Sequence, residues 1–550
     1  MTLGNLVIEI VKKLGVSHVF GVPGDYNLRF LDYIVESDGL AWVGNCNELN
    51  GSYAADGYAR ENGIGVLVTT CGVGELSAAN GIAGSYAHNV SVLHIVGYPN
   101  SKLLESDAPV HHTLGNYRKN SFLTTFSAIT GAQTILTATN YLEELQRVVL
   151  HMLLTKKPAY IGIPTDLIDM DISHTIEEIL FYPQSHDAII ETLGNRILER
   201  FLRAKKPLFF LGANIARFGL RTLMTQILQK TDAKFGTTLM GKSIINETSV
   251  AEPNFLGIYA GDYSTEGMVG IVQSSDCIIS IGTVETDLNS GGFSEDGIDF
   301  ENVITVRPNS VKVGKTLYSG IDIEKLLLYI KEHAKPNTLA DKTFTLPKES
   351  ATLLPSLKGA LNHKDFWTRI NKNIIKEGDI VVAEAGSSLF GLVQQNLPTG
   401  IDFVSQILWA SIGYTLPSAI GSAIASPHRR VLLFIGDGSF QLTAQETSLI
   451  AQHNLNITVF LINNNGYTIE RAIHGATQPY NDIPRWHYLD LVKALGIKTT
   501  FSIKTFQELE HHYDAINQKG PKVVELFFDP LDFPPLLKQI SDKLEAANRK

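Results

Sequence analysis

Short apolar runs rich in β-branched residues alternate with helix-length amphipathic segments from one end of the chain to the other. Gly65–Thr70, Val92–Gly97 and Ala159–Pro164 are apolar almost throughout, with little alternation between faces. Strands covered by helices on both sides read this way because neither face meets water. The pattern therefore predicts a first parallel α/β unit over residues 1–175. Pro207–Gly212 and Cys277–Gly282 repeat the signal, each closed by glycine, and place a second unit over 190–340. Asp379–Glu384, Arg430–Gly436 and Ile457–Asn463 are the strands of a third, over 355–550. Polar, weakly periodic stretches near 170–190 and from Ala334 to Leu354 read as the linkers. The fold class expected from this rhythm is α/β, three domains, each a mostly parallel sheet flanked by helices. No repeat of 20–50 residues is present, although the first and third units share their order of strand and helix.

Composition narrows the function. Of 550 residues, 44% are hydrophobic and 19% charged, below the ~25% charge of an average globular chain, which favours a compact, oligomeric globule. Lys and Arg number 46 against 56 Asp and Glu, a net charge of −10, with no long block of one sign. Neither nucleic acid nor an anionic membrane is expected as a partner. Three scattered cysteines, Cys46, Cys71 and Cys277, suit neither a disulfide framework nor a zinc site. They read as reduced thiols of a cytoplasmic protein. The N-terminal segment is an amphipathic helix with charges inside it, unlike a signal peptide, and no run of 18 apolar residues occurs.

Two strands of the third unit end in loops that can meet one ligand. Gly436-Asp437-Gly438-Ser439 closes the first, and Asn463-Asn464-Asn465-Gly466, beginning 24 positions after Ser439, closes the second. Open α/β sheets bind ligands outside the carboxyl ends of their strands, so a carboxylate and an amide there can face one ion. Mg²⁺ takes six hard oxygens and commonly combines one or two carboxylates with phosphate oxygens. Asp437, the Asn464 side chain and the Gly466 carbonyl would supply three, with two diphosphate oxygens and a water as the remainder. The glycines let backbone approach a diphosphate, and a helix opening near Ser439 offers free N–H groups. Gly-Asp-Gly-Ser alone reads as a turn; its pairing with the asparagine run is what makes it a site. A nicotinamide or flavin fingerprint is disfavoured, because Gln441 and Ser77 stand where the third glycine of G-x-G-x-x-G would be.

Gly-Asp-Gly followed at this distance by Asn-Asn is similar to the motif of thiamin diphosphate-dependent enzymes. More specifically, the chain resembles the pyruvate, indolepyruvate and branched-chain 2-oxo acid decarboxylases. The resemblance extends over Phe20–Asn27, Asn45–Asn50, Ala55–Arg60, Gly72–Ser77, His111-His112-Thr113, Met240-Gly241-Lys242 and Asn465–Glu470. It implies a pyrimidine-binding domain (1–175), a middle domain (190–340) and a diphosphate-binding domain (355–550), with thiamin diphosphate and Mg²⁺ as cofactors. It assigns Glu48 to the hydrogen bond with the cofactor's aminopyrimidine ring, and Asp25, His111, His112 and Glu470 to proton transfer. A lone His-His pair is otherwise as easily a surface or metal-binding feature. Ile412 matches the aliphatic wedge that bends the cofactor, and Gly413, Gly436, Gly438, Ser439 and Tyr467 complete the cofactor-binding set. The two cofactor-binding domains would come from different subunits, so a homodimer at minimum, and a homotetramer, is implied.

Two departures from the family pattern, Asn465 for Asp and Ser91 for Pro, leave the implied proton path untouched. A third concerns the implied substrate pocket of Ala385, Leu389, Phe390, Ile469, Ile473, Ile540 and Leu544. Leu389 is smaller than the aromatic residue of several relatives, whereas Ile469 resembles pyruvate-preferring members. The expected activity is non-oxidative decarboxylation of 2-oxo acids to aldehyde and CO2, broad over aliphatic and branched substrates, since one methylene is worth only about 1–3 kcal/mol in an apolar pocket. Pyruvate or indolepyruvate/phenylpyruvate decarboxylation, and an acetolactate synthase-like carboligation, are the alternatives.

Overall fold

A computed structural model of the chain describes residues 1–106, 108–115, 121–176, 187–248, 254–295, 297–298, 303–346 and 359–548. Among them the strands form three sheets. The first contains β1 (His18–Gly21), β2 (Ala41–Gly44), β3 (Ile64–Thr70), β4 (Ser91–Tyr98), β5 (Ala132–Ile135) and β6 (Ala159–Pro164) in the order β2-β1-β3-β4-β6-β5, all parallel. β3, β4 and β6 are buried at every position, as their unbroken apolar character demands.

The second sheet contains β7 (Pro207–Leu211), β8 (Lys234–Thr237), β9 (Phe255–Ile258), β10 (Cys277–Ile281), β11 (Val303–Arg307), β12 (Ser310–Val313) and β13 (Thr316–Ser319). Its order is β13-β12-β11-β10-β7-β8-β9. The last two strands in sequence turn back as antiparallel hairpins on one edge, the second through Gly314 at φ 59°. The third sheet contains β14 (Ile380–Ala383), β15 (Asp402–Val404), β16 (Val431–Gly436), β17 (Ile457–Asn463), β18 (Thr499–Ile503) and β19 (Lys522–Phe527) in the order β15-β14-β16-β17-β19-β18, all parallel. Counted within each sheet, this is the strand order of the first sheet, so the shared rhythm of the two segments is a shared topology.

First and third sheets are joined by two helices rich in small residues. Glu48–Asn62 starts at Asn47, whose side chain accepts from the Asn50 N–H, and stops at Gly63 with φ 96°. Thr415–Ala425 is buried from Thr415 through Ile424, as expected of a helix that is apolar all round. A Cβ added at Gly57 would come within 2.1 Å of the Ser418 carbonyl oxygen, and one at Gly421 within 1.9 Å of that of Ala54. The helices thus touch backbone to backbone. Across the seam the Tyr414 hydroxyl donates to buried Asp56 at 2.5 Å, and Arg60 pairs with the same carboxylate at 2.6 Å. One hydrophobic cluster runs from Leu3 and Val66 in the first unit to Leu433 and Val459 in the third. The middle unit keeps its own core. No helix among the described residues is long and apolar enough to cross a membrane.

Candidate active site

A cleft opens at the carboxyl ends of three neighbouring parallel strands, β14, β16 and β17, which deliver Glu384, Asp437 and Asn464 to it. The strand order reverses at β14, with β15 on one side and β16 on the other, the place where open α/β sheets bind ligands. Gly436, Gly438, Ser439, Gly466, Tyr467, Ile412, Ala385 and Ile469 also line the cleft, and among the described residues none of its lining comes from the first domain.

Asp437 is buried to 1% exposure and opens the helix Asp437–Thr443. Its Oδ1 accepts from Gly438 N at 2.8 Å, and its Oδ2 from Asn464 N at 3.1 Å and Gly466 N at 3.2 Å. Loss of water pushes its carboxyl up to about 6, the backbone donors pulling the other way. The Asn464 amide oxygen faces only acceptors, 3.2 Å from Asp437 Oδ1 and 2.9 Å from the Gly466 carbonyl. Turning the amide over would let its nitrogen donate to both. Its other end lies 2.9 Å from Thr468 Oγ1, whose proton goes to the Pro530 carbonyl at 3.0 Å, so that Thr468 can accept from the amide nitrogen. With a cation among the three oxygens, the amide oxygen is held toward Asp437 and its nitrogen toward Thr468. Neighbouring ligands of an octahedral Mg²⁺ with 2.0–2.1 Å bonds lie about 2.9 Å apart, close to the spacing of these three oxygens. The cluster therefore fits a hard divalent cation.

Two glycines here are dictated by close approach. A Cβ at Gly438 would meet the Tyr467 ring at 2.5 Å. Gly413, at φ 85°, would place one 2.9 Å from Leu442 Cβ. Just before Gly413, Ile412 projects into the cleft, 36% exposed, from a loop held on several sides. His88 Nε2 accepts from Leu408 N at 3.2 Å and Trp409 N at 3.3 Å. Gln406 Oε1 accepts from Ser411 N, and Asn80 Oδ1 from Trp409 Nε1. Glu384 closes the loop from below: its carboxylate accepts from Thr415 Oγ1 at 2.6 Å, Gly413 N at 3.3 Å and Ala385 N at 3.2 Å. Burial pushes it up to about 7.

On the first domain, Asp25 Oδ2 is 2.6 Å from His111 Nε2 and Asp25 Oδ1 is 3.4 Å from His112 Nε2. Tyr26 stacks on His111 and its hydroxyl is 3.3 Å from His111 Nδ1. Asp25, His111 and His112 are thus brought together. Glu48 is the first residue of the helix Glu48–Asn62 and half-buried, close to Gly74, where a Cβ would come 3.2 Å from Glu48 Oε1. Glu470 is exposed on the short helix Thr468–Ile473, which also carries Ile469 and half-buried Ile473.

Of the expected substrate pocket, Ala385 and Ile469 line the cleft. Leu389, Phe390 and Ile540 are buried in an apolar cluster with Leu239, Ile258 and Tyr263 of the middle unit, and Ile469 packs against its edge. The Leu544 side chain lies outside the described residues. Glu384 and Thr468 were not among the expected site residues. A carboxylate at the end of an apolar strand was a legible hint for Glu384, of the same kind as Asp437, whereas Thr468 acts through a contact 62 residues away that spacing does not disclose.

Comparison with known proteins agrees with this architecture. Residues 1–121 match the thiamine pyrophosphate enzyme N-terminal TPP binding domain, 195–325 the central domain and 388–526 the C-terminal TPP binding domain. An alpha-keto-acid decarboxylase of Mycobacterium leprae is 36% identical over 100% of this chain and 96% of its own length. A pyruvate decarboxylase of Candida albicans is 36% identical over 99% of both chains, and pyruvate decarboxylase isozyme 3 of Saccharomyces cerevisiae 35% identical over 100% and 99%. With its three matched domains, its oxygen cluster at the ends of β16 and β17 and relatives that span its whole length, the chain belongs to the family of thiamine pyrophosphate (thiamin diphosphate)-dependent 2-oxo acid decarboxylases.

Proposed function

We propose that the protein converts 2-oxo acids, preferentially aliphatic and branched ones, to the aldehyde one carbon shorter and CO2, using thiamin diphosphate and Mg²⁺. The observation that carries this reading is the convergence of Asp437, Asn464 and Gly466 oxygens in a cleft whose glycines leave backbone free to meet a diphosphate. These three would hold the metal; Gly436, Gly438 and Ser439 would hold the diphosphate, with Tyr467 against Gly438, and Ile412 and Gly413 would complete the cofactor's place. Bound thiamin diphosphate would supply the electron sink that takes up the pair left by departing CO2. Glu48 holds a hydrogen bond to the aminopyrimidine. Asp25, His111, His112 and Glu470 carry protons to and from substrate, work suited to groups that titrate near neutrality. Ala385 and Ile469 shape the substrate's side of the site, backed by the apolar cluster of Leu389, Phe390 and Ile540.

Because the described residues that line the cleft all come from the third domain, Glu48 and the Asp25 cluster belong to a partner's contribution, and the working unit is a homodimer, further paired into a homotetramer. An exposed apolar patch supports this: Val73, Leu76, Leu408, Trp409, Ile412 and Leu442 are all at least 36% exposed, and Asn80 ties the helix Val73–Ala87 to the Trp409 loop. Contiguous apolar surface of this kind marks protein interfaces. We assign the domains to 1–175, 190–340 and 355–550, and the cytoplasm as compartment, in keeping with free Cys46, Cys71 and Cys277.

The test is aldehyde release from pyruvate, 2-oxoisovalerate, 4-methyl-2-oxopentanoate, straight chains to eight carbons, phenylpyruvate and indolepyruvate by stripped enzyme, with and without both cofactors. Cofactor-dependent aldehyde with the highest kcat/KM on a branched or medium-chain acid is expected. A pyruvate optimum overturns the breadth, and acyloin in place of aldehyde overturns the reaction. Glu48→Ala should lower turnover about 10²–10⁴-fold, the range of general acid–base groups; unimpaired turnover would remove Glu48 from its role.

A further inference from the structure

The first domain gathers two imidazoles and one carboxylate at a single point. The ligand atoms of Asp25, His111 and His112 all lie within 4.8 Å of one another. Backbone geometry enforces the cluster. His112 sits at φ 63°, and its carbonyl occupies the space where a Cβ on Gly72 would come to 1.8 Å, so the loop is pinned against the start of the helix Val73–Ala87. His111 is oriented by the stacked Tyr26 ring, 5.0 Å between centroids at 20°. Without a cation, His111 Nε2–H donates to Asp25 Oδ2 at 2.6 Å and Nδ1 faces Tyr26 Oη at 3.3 Å; a cation at Nε2 would displace that proton and leave the ring proton on Nδ1, donated to Tyr26 Oη. A ligating histidine whose other nitrogen is hydrogen-bonded in this way is the common arrangement in metal sites.

We propose that Asp25, His111 and His112 form a binding site for a zinc-like divalent cation, separate from the all-oxygen cluster at Asp437, and that its occupancy blocks turnover. The ligand chemistry separates the two sites. Imidazole suits Zn²⁺, Cu²⁺ and Ni²⁺, whereas Mg²⁺ prefers oxygen donors. A tetrahedral shell with bonds of about 2.0–2.1 Å has edges of about 3.3 Å. The Asp25–His112 separation of 3.4 Å already spans such an edge. The Asp25–His111 contact of 2.6 Å, made by the other carboxylate oxygen, must open by about 0.7 Å to reach the same edge, which a rotation of the carboxylate or the imidazole provides. Blockade of turnover rests on the proton-carrying role proposed for these residues; binding of the cation does not.

The experiment titrates Zn²⁺ calorimetrically into enzyme saturated with thiamin diphosphate and excess Mg²⁺, with Co²⁺ absorption in parallel to report nitrogen ligation. One Zn²⁺ per chain is expected, with turnover falling in step. Affinity should weaken by about tenfold or more, as on loss of a ligand or its support, in His111→Ala and in His112→Asn, asparagine being tolerant of positive φ. No uptake, or equal uptake by wild type and both variants, overturns the site and leaves the proton-carrying role standing. Uptake lost in the variants but without inhibition of wild type overturns the blockade and counts against that role.

Discussion

Thr468 has one proton to give, and it goes to Pro530. What remains on its oxygen is an acceptor for the Asn464 amide nitrogen, the orientation that a cation bound to the amide oxygen needs. Thr468→Val deletes the acceptor without changing shape, so the amide nitrogen loses its partner and gains by turning inward, where it would repel a cation. The Kd for Mg²⁺ in the presence of thiamin diphosphate should rise about 10–100-fold, the usual cost of losing an outer-shell partner, while saturating Mg²⁺ restores kcat and Thr468→Ser retains affinity. A calorimetric Kd unchanged in Thr468→Val would refute the argument. Glu384 makes a different claim at the same scale. Folding raises its carboxyl from the ordinary 4.5 to about 7, by burial, so the native state retains a proton that the unfolded chain gives up. Its contribution to stability is complete below about 4.5 and is lost as pH rises through about 7. Glu384→Gln titrates nowhere, so the gap in thermal midpoint between cofactor-free wild type and variant should narrow from pH 5 to pH 8; a constant gap would contradict the burial argument. Asp437 and Asn464 were legible because both the strand and the chemistry that follows it are local in sequence. Glu384 stood at an equally readable strand end, but its partners, Thr415 and the Gly413 loop, come from a later segment.

The helices Glu48–Asn62 and Thr415–Ala425 test packing against propensity. Alanine for glycine in a helix interior ordinarily stabilises by about 0.5–1 kcal/mol. At Gly57 the new methyl would stand 2.1 Å from the Ser418 carbonyl oxygen, and pushing two backbones apart costs about 1–3 kcal/mol. Gly57→Ala should therefore destabilise. Gly270→Ala, in the helix Met268–Ser274 with nothing among the described residues within 4 Å of the added methyl, should be neutral or stabilising. Thermal midpoints that moved the same way in both would show that propensity wins. The parallel strands could be read from the chain because burial on two faces leaves an unbroken apolar run. The helix pair was less legible, since small residues mark close approach without naming the partner. Apolar residues around the cleft share that ambiguity: Leu389, Phe390 and Ile540 look alike in sequence whether they line a pocket or fill the cluster in which they are buried.

At the scale of the whole molecule, one polar junction ties the three domains together. Asp402, at the start of β15, meets Arg221 of the middle domain and Arg429 of its own, and Arg429 Nη1 reaches Glu61 of the first domain at 3.1 Å. Arg429 is further fixed by the carbonyls of Gly378, Asp379 and Gly400. The two carboxylates share two cations unequally. Burial and the Asp402 charge push Glu61 up to about 7, while for Asp402 the two guanidiniums outweigh burial and hold it below the ordinary range. Asp402 therefore carries the fuller negative charge of the junction, whereas Glu61 is about half protonated at pH 7. Asp402→Asn leaves two guanidiniums facing each other and loosens the middle domain, which a second tie, the buried Lys242–Glu247 pair with Gln395 and Leu397, holds to the third. The cost should be about 2–3 kcal/mol, less than the ~3–5 of a fully enclosed pair because Arg221 and Arg429 are partly solvated. Glu61→Gln, which removes only about half a charge at pH 7, should cost less, under about 1 kcal/mol. Scanning calorimetry of both variants decides it: equal losses, or a larger loss in Glu61→Gln, would mean that the charge resides on Glu61 and that the junction is organised from the first domain.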